Sequence, residues 1–454
     1  MYRTQDITDI KAKLDDLSKE SDKIRLNTYE PTLNQLDKIY QDLYKYAKEH
    51  KLIIYGGFAQ NLLIKNKKES DAFYNEYSLA DMEFYSYEPI KLSMDIAKYL
   101  YTKGYPYIQA TSGVHEDTYK IFVNFHNFCD ISYMPKYIYN NLPTKNIDGF
   151  IVTDPHFMSV DAFRVYSDPI FSFFRLEKTF TRFNTLLKHY PLYNSKAVIP
   201  SFKVNGRLSK DIFDTLKKEF IHNKDLIVIH HYAYNYLIKK SPRMDLIVDI
   251  PYLSVISVNY TKDVIAITKK LQKIYPKIKI KEYYPFFQFL GRKTEFYLDN
   301  KLIFVIYSHN DRCTVYEATF SENKKTHFGT FSLQRLMLIA EYYNQMIHKN
   351  KSMEKEYFTL LQNLFNARLE YLEDKDKTVM DNSPFQEFTF ECLGKSLDPM
   401  RNARLKIMEK LKQGKQVKFN FDPDRNKEGK VPNYNFPNVS GNPIINTKDM
   451  TISK

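Results

Sequence analysis

The chain has 454 residues, with 67 Lys and Arg against 54 Asp and Glu, which gives a formal net charge of +13. This length allows two or three domains with full cores, and the positive charge favours a polyanionic partner. Hydrophobic residues make up 43% of the chain and aromatic residues 15%, which excludes disorder as the main state. No run approaches the roughly 18 apolar residues of a membrane span, and no signal-peptide pattern is present. We therefore expect a soluble, intracellular protein without membrane contact.

The three cysteines are widely separated along the chain. Cys129, Cys313 and Cys392 belong to no CxxC pair and to no Cys/His cluster. Their positions predict neither a disulfide framework nor a zinc site, and they favour a reducing compartment. A cytoplasmic location is the resulting expectation.

The first third of the chain alternates helical and strand patterns. Apolar residues recur at three- and four-residue steps from about Ile7 to Glu49, which predicts helix. A short apolar run at 52–55 predicts a strand that ends at the glycine pair Gly56 and Gly57. The next predicted elements are a helix at 58–64, a strand at 78–86, a helix at 87–101, and strands at 107–111, 119–125 and 128–133. This order predicts an α/β (α+β) domain with a mixed sheet.

Further helices and strands follow, most of them in a predicted second α/β domain. The predicted helices are at 163–190, 210–220, 226–238, 332–348 and 354–372, and the predicted strands are at 246–258, 277–290, 294–297 and 302–307. The turn-rich segment 191–200 separates the two domains. We predict a helical segment at 1–50, domains at 51–195 and 196–420, and a mobile tail or extended arm at 421–454.

A weak internal similarity has two explanations, chance or a duplication of the domain. Phe128–Ile131 corresponds in this alignment to Arg312–Val315, because both segments follow an extended segment, a turn and a strand. Thr314 then stands at the position of Asp130. A duplication of this kind would give the second domain the same fold with an altered site.

Three carboxylates carry the predicted chemistry. Side chains of a strand alternate between its two faces, so Asp81 and Glu83 share one face while Met82 points into the core. Two neighbouring carboxylates repel each other unless a cation lies between them, and hard oxygen ligands suit Mg²⁺ or Mn²⁺. Asp130 lies in another apolar strand. If the two strands are neighbours, three carboxylates converge and two metal ions can be held, one activating an attacking hydroxyl and one stabilising the leaving phosphate.

The glycine pair supplies the second part of the predicted site. Gly56 and Gly57 end a strand and open a helix, so bare backbone can approach a phosphate and helix N–H groups can donate to it. Each element also has an ordinary interpretation, as a simple turn or a solvated strand face. Their order is more specific: a glycine pair at a strand end, an apolar-flanked Asp-x-Glu, and a single Asp about fifty residues later.

This ordered set resembles the signature of the DNA polymerase beta-type nucleotidyltransferase superfamily. The segments Ile54–Asn61, Ala80–Ser86 and Cys129–Pro135 narrow the resemblance to the poly(A) polymerase catalytic subunits of poxviruses and giant DNA viruses. Asp161–Arg182 is also similar to that group. The motif-bearing similarity covers about 52–182.

The resemblance implies roles for these residues. Asp81, Glu83 and Asp130 would bind the catalytic metals, the glycine turn would hold the triphosphate, and the second domain would be a degenerate nucleotidyltransferase. There are two departures from the pattern. Phe58 stands in the nucleotide-binding turn where many superfamily members have Ser, so a hydroxyl contact to phosphate is lost. The interval from Gly57 to Asp81 is long, which implies an insertion around residues 65–77.

Two cationic surfaces are candidates for binding phosphates. Arg175, Lys178 and Arg182 fall at i, i+3 and i+7 of a predicted helix, with apolar residues such as Phe180 on its opposite side. Lys178 and Arg182, favoured by the resemblance, would bind the phosphates of a nucleotide; the alternative is a solvated helix face.

The segment 395–420 holds eight Lys or Arg and two Asp or Glu, so it is either a solvated helix or an RNA-binding track. The candidate RNA contacts in this segment are Arg401, Arg404, Lys412, Lys415 and Lys418.

The leading hypothesis is template-independent addition of AMP from ATP to the 3′ end of RNA, which makes a poly(A) tail. Asp130 is the best candidate to assist deprotonation of the primer hydroxyl. The expected partners are ATP, Mg²⁺ or Mn²⁺, the 3′ end of a single-stranded mRNA, and a second copy or a processivity subunit. If the protein is viral, a viral factory or virion is its expected location. The alternatives are a catalytically inactive RNA-binding subunit and a nucleotidyltransferase that acts on tRNA ends or makes oligoadenylate.

Overall fold

The chain forms two compact units, which are described separately. The computed structural model describes residues 2–74, 80–115, 117–193, 204, 206–222, 224–309, 312–321, 324–396, 399–414, 419–425 and 444–445. Unit 1 comprises Met1–Tyr133, Thr144–Thr153 and Leu405–Asn435. Unit 2 comprises Met134–Pro143, Asp154–Arg404 and Phe436–Lys454. The domain boundaries given above stay predictions, and the predicted mobile tail lies mostly outside the described residues. No helix in the described part of the chain is long and apolar enough to cross a membrane.

Helices and strands alternate along most of the chain. The helices are α1 (Thr4–Thr28), α2 (Leu33–Glu49), α3 (Gly56–Lys67), α4 (Pro89–Thr102), α5 (Lys136–Asn141), α6 (Pro155–Tyr166), α7 (Pro169–Ser172), α8 (Leu176–His189), α9 (Lys210–Leu216), α10 (His230–Ile238), α11 (Tyr260–Ile274), α12 (Phe331–Ile347), α13 (Lys351–Asp374) and α14 (Pro399–Lys412). The strands are β1 (Ile53–Tyr55), β2 (Met82–Ser86), β3 (Gln109–Ser112), β4 (Thr118–Val123), β5 (His126–Tyr133), β6 (Thr144–Ile147), β7 (Phe150–Thr153), β8 (Leu226–Ile229), β9 (Leu253–Ser257), β10 (Lys279–Tyr283), β11 (Lys293–Leu298), β12 (Lys301–Ser308), β13 (Thr314–Ser321), β14 (Lys324–Gly329), β15 (Cys392–Leu393), β16 (Asn420–Phe421) and β17 (Ile444–Ile445).

Each unit is built on a mixed sheet, and the two sheets have the same topology. Their strand orders are β16-β3-β4-β5-β2-β1-β7-β6 and β15-β13-β14-β8-β9-β12-β11-β10-β17. Without the two-residue strands, the orders are identical when β1 to β7 are matched with β8 to β14. The central pairs also agree, because β2–β5 and β9–β12 are parallel while β1–β2 and β8–β9 are antiparallel. Unit 2 therefore repeats the fold of unit 1, which confirms the predicted fold class.

The core of unit 1 follows from the amphipathic pattern of its elements. Helix α2 buries one apolar face, which includes Leu36, Ile39 and Leu43, and burial of each such side chain contributes about 2 kcal/mol. The side chain of Thr32 accepts a hydrogen bond from the N–H of Gln35 and caps the helix. On β2, residues 82 and 84 are fully buried, so the alternate positions of this strand are left for the other face of the sheet.

Several predicted elements are wrong in extent. The helix predicted at 7–49 is divided by Tyr29–Thr32, which includes Pro31, and the helix predicted at 163–190 is broken before Pro169. The segment predicted as a helix at 226–238 begins as strand β8. Its sequence Leu-Ile-Val-Ile, in which three residues are β-branched, is buried on both faces, an environment that favours a strand. Strands β13 and β14 were not predicted.

Two further predictions are wrong, namely that the cysteines form no disulfide and that Thr314 stands at the position of Asp130. Cys313 and Cys392 form a disulfide, with a Cα–Cα separation of 5.5 Å; they come together because Cys392 pairs with Val315 across β13 and β15. The duplicate of β5 is β12 rather than the segment around Thr314. Pairing between strands that are distant along the chain brings Cys313 and Cys392 together and decides which strand of unit 2 corresponds to β5. The spacing of residues along the sequence reveals neither.

Candidate active site

A row of four residues crosses the sheet of unit 1 at the end of β1. Tyr55 pairs with Glu83, Glu83 with Asp130, and Asp130 with Lys120, on β1, β2, β5 and β4. Neighbouring strands are roughly 4.8 Å apart, so two of the three predicted carboxylate residues are adjacent. The prediction that their strands are neighbours is confirmed.

Glu83 packs against the glycine turn. The N–H of Gly57 donates to Oε2 of Glu83 at 2.8 Å. Gly56 has a φ of +71°, and a Cβ placed there would lie 1.6 Å from the same carboxylate oxygen. This position therefore needs glycine for two reasons, its backbone conformation and the space that Glu83 occupies.

Asp130 is held by donors from its own sheet. Nζ of Lys120 lies 2.7 Å from Oδ1 and 2.6 Å from Oδ2, and the side-chain amide of Asn127 donates to Oδ1 at 3.0 Å. Charge-assisted bonds of this kind are among the stronger hydrogen bonds in proteins. The carboxylate is therefore oriented and has a counter-charge in the absence of any ligand.

Asp81 is exposed and immediately precedes β2. Cys129 pairs with Met82, the neighbour of Asp81, and directly precedes Asp130. Burial raises the pKa of the Cys129 thiol well above its ordinary value, and the charges of Asp130 and Asp81 raise it further. Among the described residues, no group of three or more His, Cys, Asp or Glu side chains is gathered to hold a metal ion. The three carboxylates have the oxygen chemistry that Mg²⁺ prefers, and Gly57 and Lys120 occupy two of them; the metal site stays a prediction.

The corresponding row in unit 2 lacks the two adjacent carboxylates of unit 1. Ile229, Ser254, Val305 and Glu295 stand where unit 1 has Tyr55, Glu83, Asp130 and Lys120, because the strand registers are the same. The glycine pair is replaced by His230 and His231, which are buried. At these positions unit 2 thus has neither the adjacent carboxylate pair nor the glycine turn.

Buried polar side chains fill this region of unit 2. Nζ of Lys293 lies 3.0 Å from Oε1 of Glu295 and 3.9 Å from Oε1 of Glu341, and the hydroxyl of Tyr307 donates to Glu341 at 2.6 Å. Burial raises the pKa of Glu341, but the charges of Lys293 and His230 outweigh it and bring the value to about 2. In this network the carboxylates of both Glu295 and Glu341 are engaged by side chains of unit 2 itself.

The other predicted nucleotide-binding residues lie on α3 and α8. The side chain of Phe58 is buried against Tyr44 and Phe150, and its predicted place in the nucleotide-binding turn stays a prediction. Lys178 is exposed on α8, Arg182 is half-buried, and Phe180 is exposed rather than on an apolar side. These positions do not test the predicted nucleotide contacts.

The predicted RNA contacts are partly described. Arg401, Arg404 and Lys412 are exposed on α14, while Lys415 and Lys418 lie outside the described residues. Their role stays a prediction.

Sequence reasoning missed Lys120. The signal was present, since Lys120 is the lone cation of the apolar strand Thr118–Val123. Strand alternation places it on the same face as Thr118, which contacts Ser132 through their hydroxyls at 3.0 Å. A charged residue in such a strand indicates a partner on the neighbouring strand.

Comparisons with known proteins give two matching family models and several viral relatives. A family model described as "Poly(A) polymerase catalytic subunit" matches residues 41–172, and one described as "APMV, Putative poly(A) polymerase, catalytic subunit, C-terminal" matches residues 184–454. Two viral relatives are both described as "Putative poly(A) polymerase catalytic subunit". The protein of Acanthamoeba polyphaga mimivirus is 32% identical over 98% of this chain and 83% of its own length. The African swine fever virus protein is 27% identical over 34% of this chain and 35% of its own length.

A solved structure extends the similarity to the fold. The crystal structure of the Megavirus polyadenylate synthase matches with a TM-score of 0.89 and 29% identity, over 98% of this chain and 92% of that chain. Both family models together cover most of the sequence, and the retained carboxylates lie in the part matched by the first. The chain therefore belongs to the family of viral poly(A) polymerase catalytic subunits, which are enzymes.

Proposed function

We propose that this chain transfers AMP from ATP to the 3′ end of single-stranded RNA without a template. One observation carries the proposal: Glu83 and Asp130 are adjacent at an open glycine turn in unit 1, whereas the same positions in unit 2 are Ser254 and Val305. A fold that is present twice but keeps its carboxylates once is expected of one catalytic and one degenerate nucleotidyltransferase unit.

The reaction needs few groups from the protein. The primer 3′-oxygen attacks the α-phosphorus of ATP, the bond from that phosphorus to the bridging oxygen breaks, and pyrophosphate leaves. The proton of the 3′-hydroxyl passes to a base, for which Asp130 is the candidate in this chain. Because Lys120 and Asn127 orient the carboxylate of Asp130, an oxygen of this group can accept the proton once these contacts rearrange.

Asp81, Glu83 and Asp130 would hold the divalent cation. When bound, Mg²⁺ or Mn²⁺ would supply Lewis-acid stabilisation of the charge on the phosphates. The N–H groups at the start of α3 would donate to the triphosphate, once Glu83 has released the N–H of Gly57. The positive charge of the chain, +13, attracts both nucleotide and RNA.

A primer-extension assay tests this function. The full chain is mixed with a labelled single-stranded RNA primer, Mg²⁺ or Mn²⁺, and each ribonucleoside triphosphate in turn. We expect long products with ATP alone. Replacing both acidic residues, Asp81→Ala with Glu83→Ala, should abolish extension and leave RNA binding nearly intact.

The matched control is Ser254→Ala, which changes the position in unit 2 that corresponds to Glu83. We expect its extension to equal that of the unmodified chain. Normal extension by the double variant would contradict the assignment of the site. RNA binding without nucleotide addition would favour an inactive subunit, and addition of a few nucleotides, or equal use of CTP, would favour an enzyme that acts on tRNA ends.

A further inference from the structure

An exposed pair of aromatic rings lies at one end of the sheet of unit 1. Tyr107 is 68% exposed and Phe125 is 80% exposed, and their rings stack with centroids 5.2 Å apart and planes inclined by 25°. The N–H of Asn124 donates to the carbonyl of Pro106 at 3.1 Å, which connects the two loops that carry the rings. The stack is therefore fixed by the backbone while its outer surface stays accessible.

The backbone at both rings is unusual for aromatic residues. Tyr107 has a φ of +49°, and Asn124 and Phe125 have φ values of +46° and +65°. Asn124 and Phe125 form the two-residue loop between Val123 and His126, and two-residue loops with positive φ at both positions strongly prefer Asn-Gly or Asp-Gly. A bulky side chain in this conformation is uncommon. Such an exception in an exposed position points to a function.

The duplicate hairpin in unit 2 gives an internal comparison. Asp299 and Asn300 form the matching two-residue loop between β11 and β12, with φ values of +49° and +64°. Asp and Asn tolerate this conformation better than other non-glycine residues. The turn geometry therefore does not require an aromatic residue. Phe125 is a feature of unit 1, which keeps the carboxylates.

The stacked rings lie at the catalytic edge of the sheet. Strand β5 is parallel to β2, with Asp130 opposite Glu83, so the start of β5 lies at the same edge as Asp81. The loop of Asn124 and Phe125 directly precedes β5. Phe125 precedes Asp130 by five positions, which is about 16 Å along an extended strand, or about five nucleotides at the roughly 3.4 Å spacing of stacked bases.

We propose that the ring pair of Tyr107 and Phe125 binds the primer RNA by stacking against a base upstream of the reacting 3′ end. Aromatic stacking suits this substrate because every base has a π face, so binding is tolerant of sequence. The base would lie on the outer face of the pair, since the gap between the two rings is already closed. This inference rests on the proposed function, because it requires that single-stranded RNA is the acceptor.

The test compares variants that differ in the ring but keep the turn. Phe125→Asn copies the loop of unit 2 and suits the backbone, and Phe125→Trp keeps a stacking surface. We expect Phe125→Asn to weaken binding of a twelve-nucleotide RNA about tenfold. The KM for this RNA in the extension assay should rise accordingly. A trinucleotide primer, which is too short to reach the rings, should be extended equally well by the variant and the unmodified chain. Phe125→Trp should restore binding.

Two controls separate the stacking site from effects on folding. Asn300→Gly changes the matching loop of unit 2, and Phe320→Ala removes another exposed ring, 74% exposed on β13; neither should change RNA affinity. Thermal unfolding should show that Phe125→Asn is at least as stable as the unmodified chain.

The following results would overturn the inference. One such result is an unchanged affinity of Phe125→Asn for the twelve-nucleotide RNA. Another is a loss of extension with the trinucleotide primer that equals the loss with the longer RNA. A variant that changes the sedimentation coefficient of the protein without RNA would instead identify the pair as an interface between copies. If the unmodified chain fails to extend any primer, the proposed function itself fails, which is a separate outcome.

Discussion

Lys120 and Asp130 face each other on neighbouring antiparallel strands, and the ammonium of Lys120 contacts both oxygens of the Asp130 carboxylate. A cation of the protein therefore lies where the sequence predicts a metal ligand. The two side chains are partly exposed, at 28% and 18%, so the pair contributes little to the stability of the fold. In the site, Lys120 competes with a metal ion, because both require the same oxygens of Asp130.

Removal of Lys120 should strengthen metal binding. In Lys120→Met the carboxylate of Asp130 loses its competing cation, so we expect the Mg²⁺ concentration that gives half-maximal extension to fall several-fold. The measurement is primer extension over a Mg²⁺ titration. Lys91→Met, a change at an exposed position of α4, is the control and should leave this concentration unchanged. A higher Mg²⁺ requirement in Lys120→Met would mean that Lys120 supports metal binding.

Gly56→Ala should displace Glu83 from the glycine turn. The added Cβ would lie within bonding distance of the carboxylate, and the φ of +71° is unfavourable for alanine. We expect a loss of about 1–2 kcal/mol in the free energy of unfolding from the backbone alone, together with at least a 100-fold loss of extension.

The matched control for Gly56 is Gly104→Ala. Gly104 has a φ of +83°, but nothing lies within 4 Å of an added Cβ. This variant should show the same backbone cost in urea unfolding and keep its extension activity. Equal activity losses in the two variants would attribute the effect to stability rather than to Glu83.

The disulfide between Cys313 and Cys392 should stabilise unit 2. The two cysteines are separated by 79 residues, and closing a loop of this size in the unfolded chain corresponds to about 4 kcal/mol in the chain-entropy estimate. We expect the double variant Cys313→Ser with Cys392→Ser to lose about 2–4 kcal/mol in urea unfolding. Dithiothreitol should destabilise the unmodified chain similarly and leave the double variant unaffected; an equal effect on both would contradict a stabilising disulfide.

Stability should fall in acid because of the buried carboxylate of Glu387. Burial raises its pKa, but the charges of Arg335 and Arg368 outweigh this and lower the pKa to about 2. In the unfolded chain the group binds a proton near its ordinary value of 4.5, so the contribution to stability is present above pH 4.5 and is lost as the pH falls towards 2.

Urea unfolding between pH 7 and pH 3 measures this effect. Glu387→Gln should lose about 3–5 kcal/mol at neutral pH, because it leaves two buried arginines without a carboxylate partner. Its stability should depend less on pH than that of the unmodified chain. Parallel losses in both proteins below pH 4.5 would show that other groups cause the acid sensitivity.

The sequence predicted the parts of the site that depend on local spacing. Gly56 and Gly57 at the end of a strand, and the alternation from Asp81 to Glu83, are patterns within a few residues, so chain geometry is enough to infer them. Hydrophobic periodicity similarly located most helices and the strands around Asp130. It overestimated the length of the helices next to Pro31 and Pro169, because the apolar pattern continues across the residues where each helix is interrupted.

The tertiary structure decided which distant residues are partners. The pair Lys120 and Asp130, the disulfide of Cys313 with Cys392, and the correspondence of Val305 with Asp130 all depend on the register of strands that are separated along the chain. Register is set by packing of whole sheet faces and by turn geometry, which a local pattern does not contain. The sequence by itself thus determined the chemical types available to the site, and the pairing of the strands determined which of them meet.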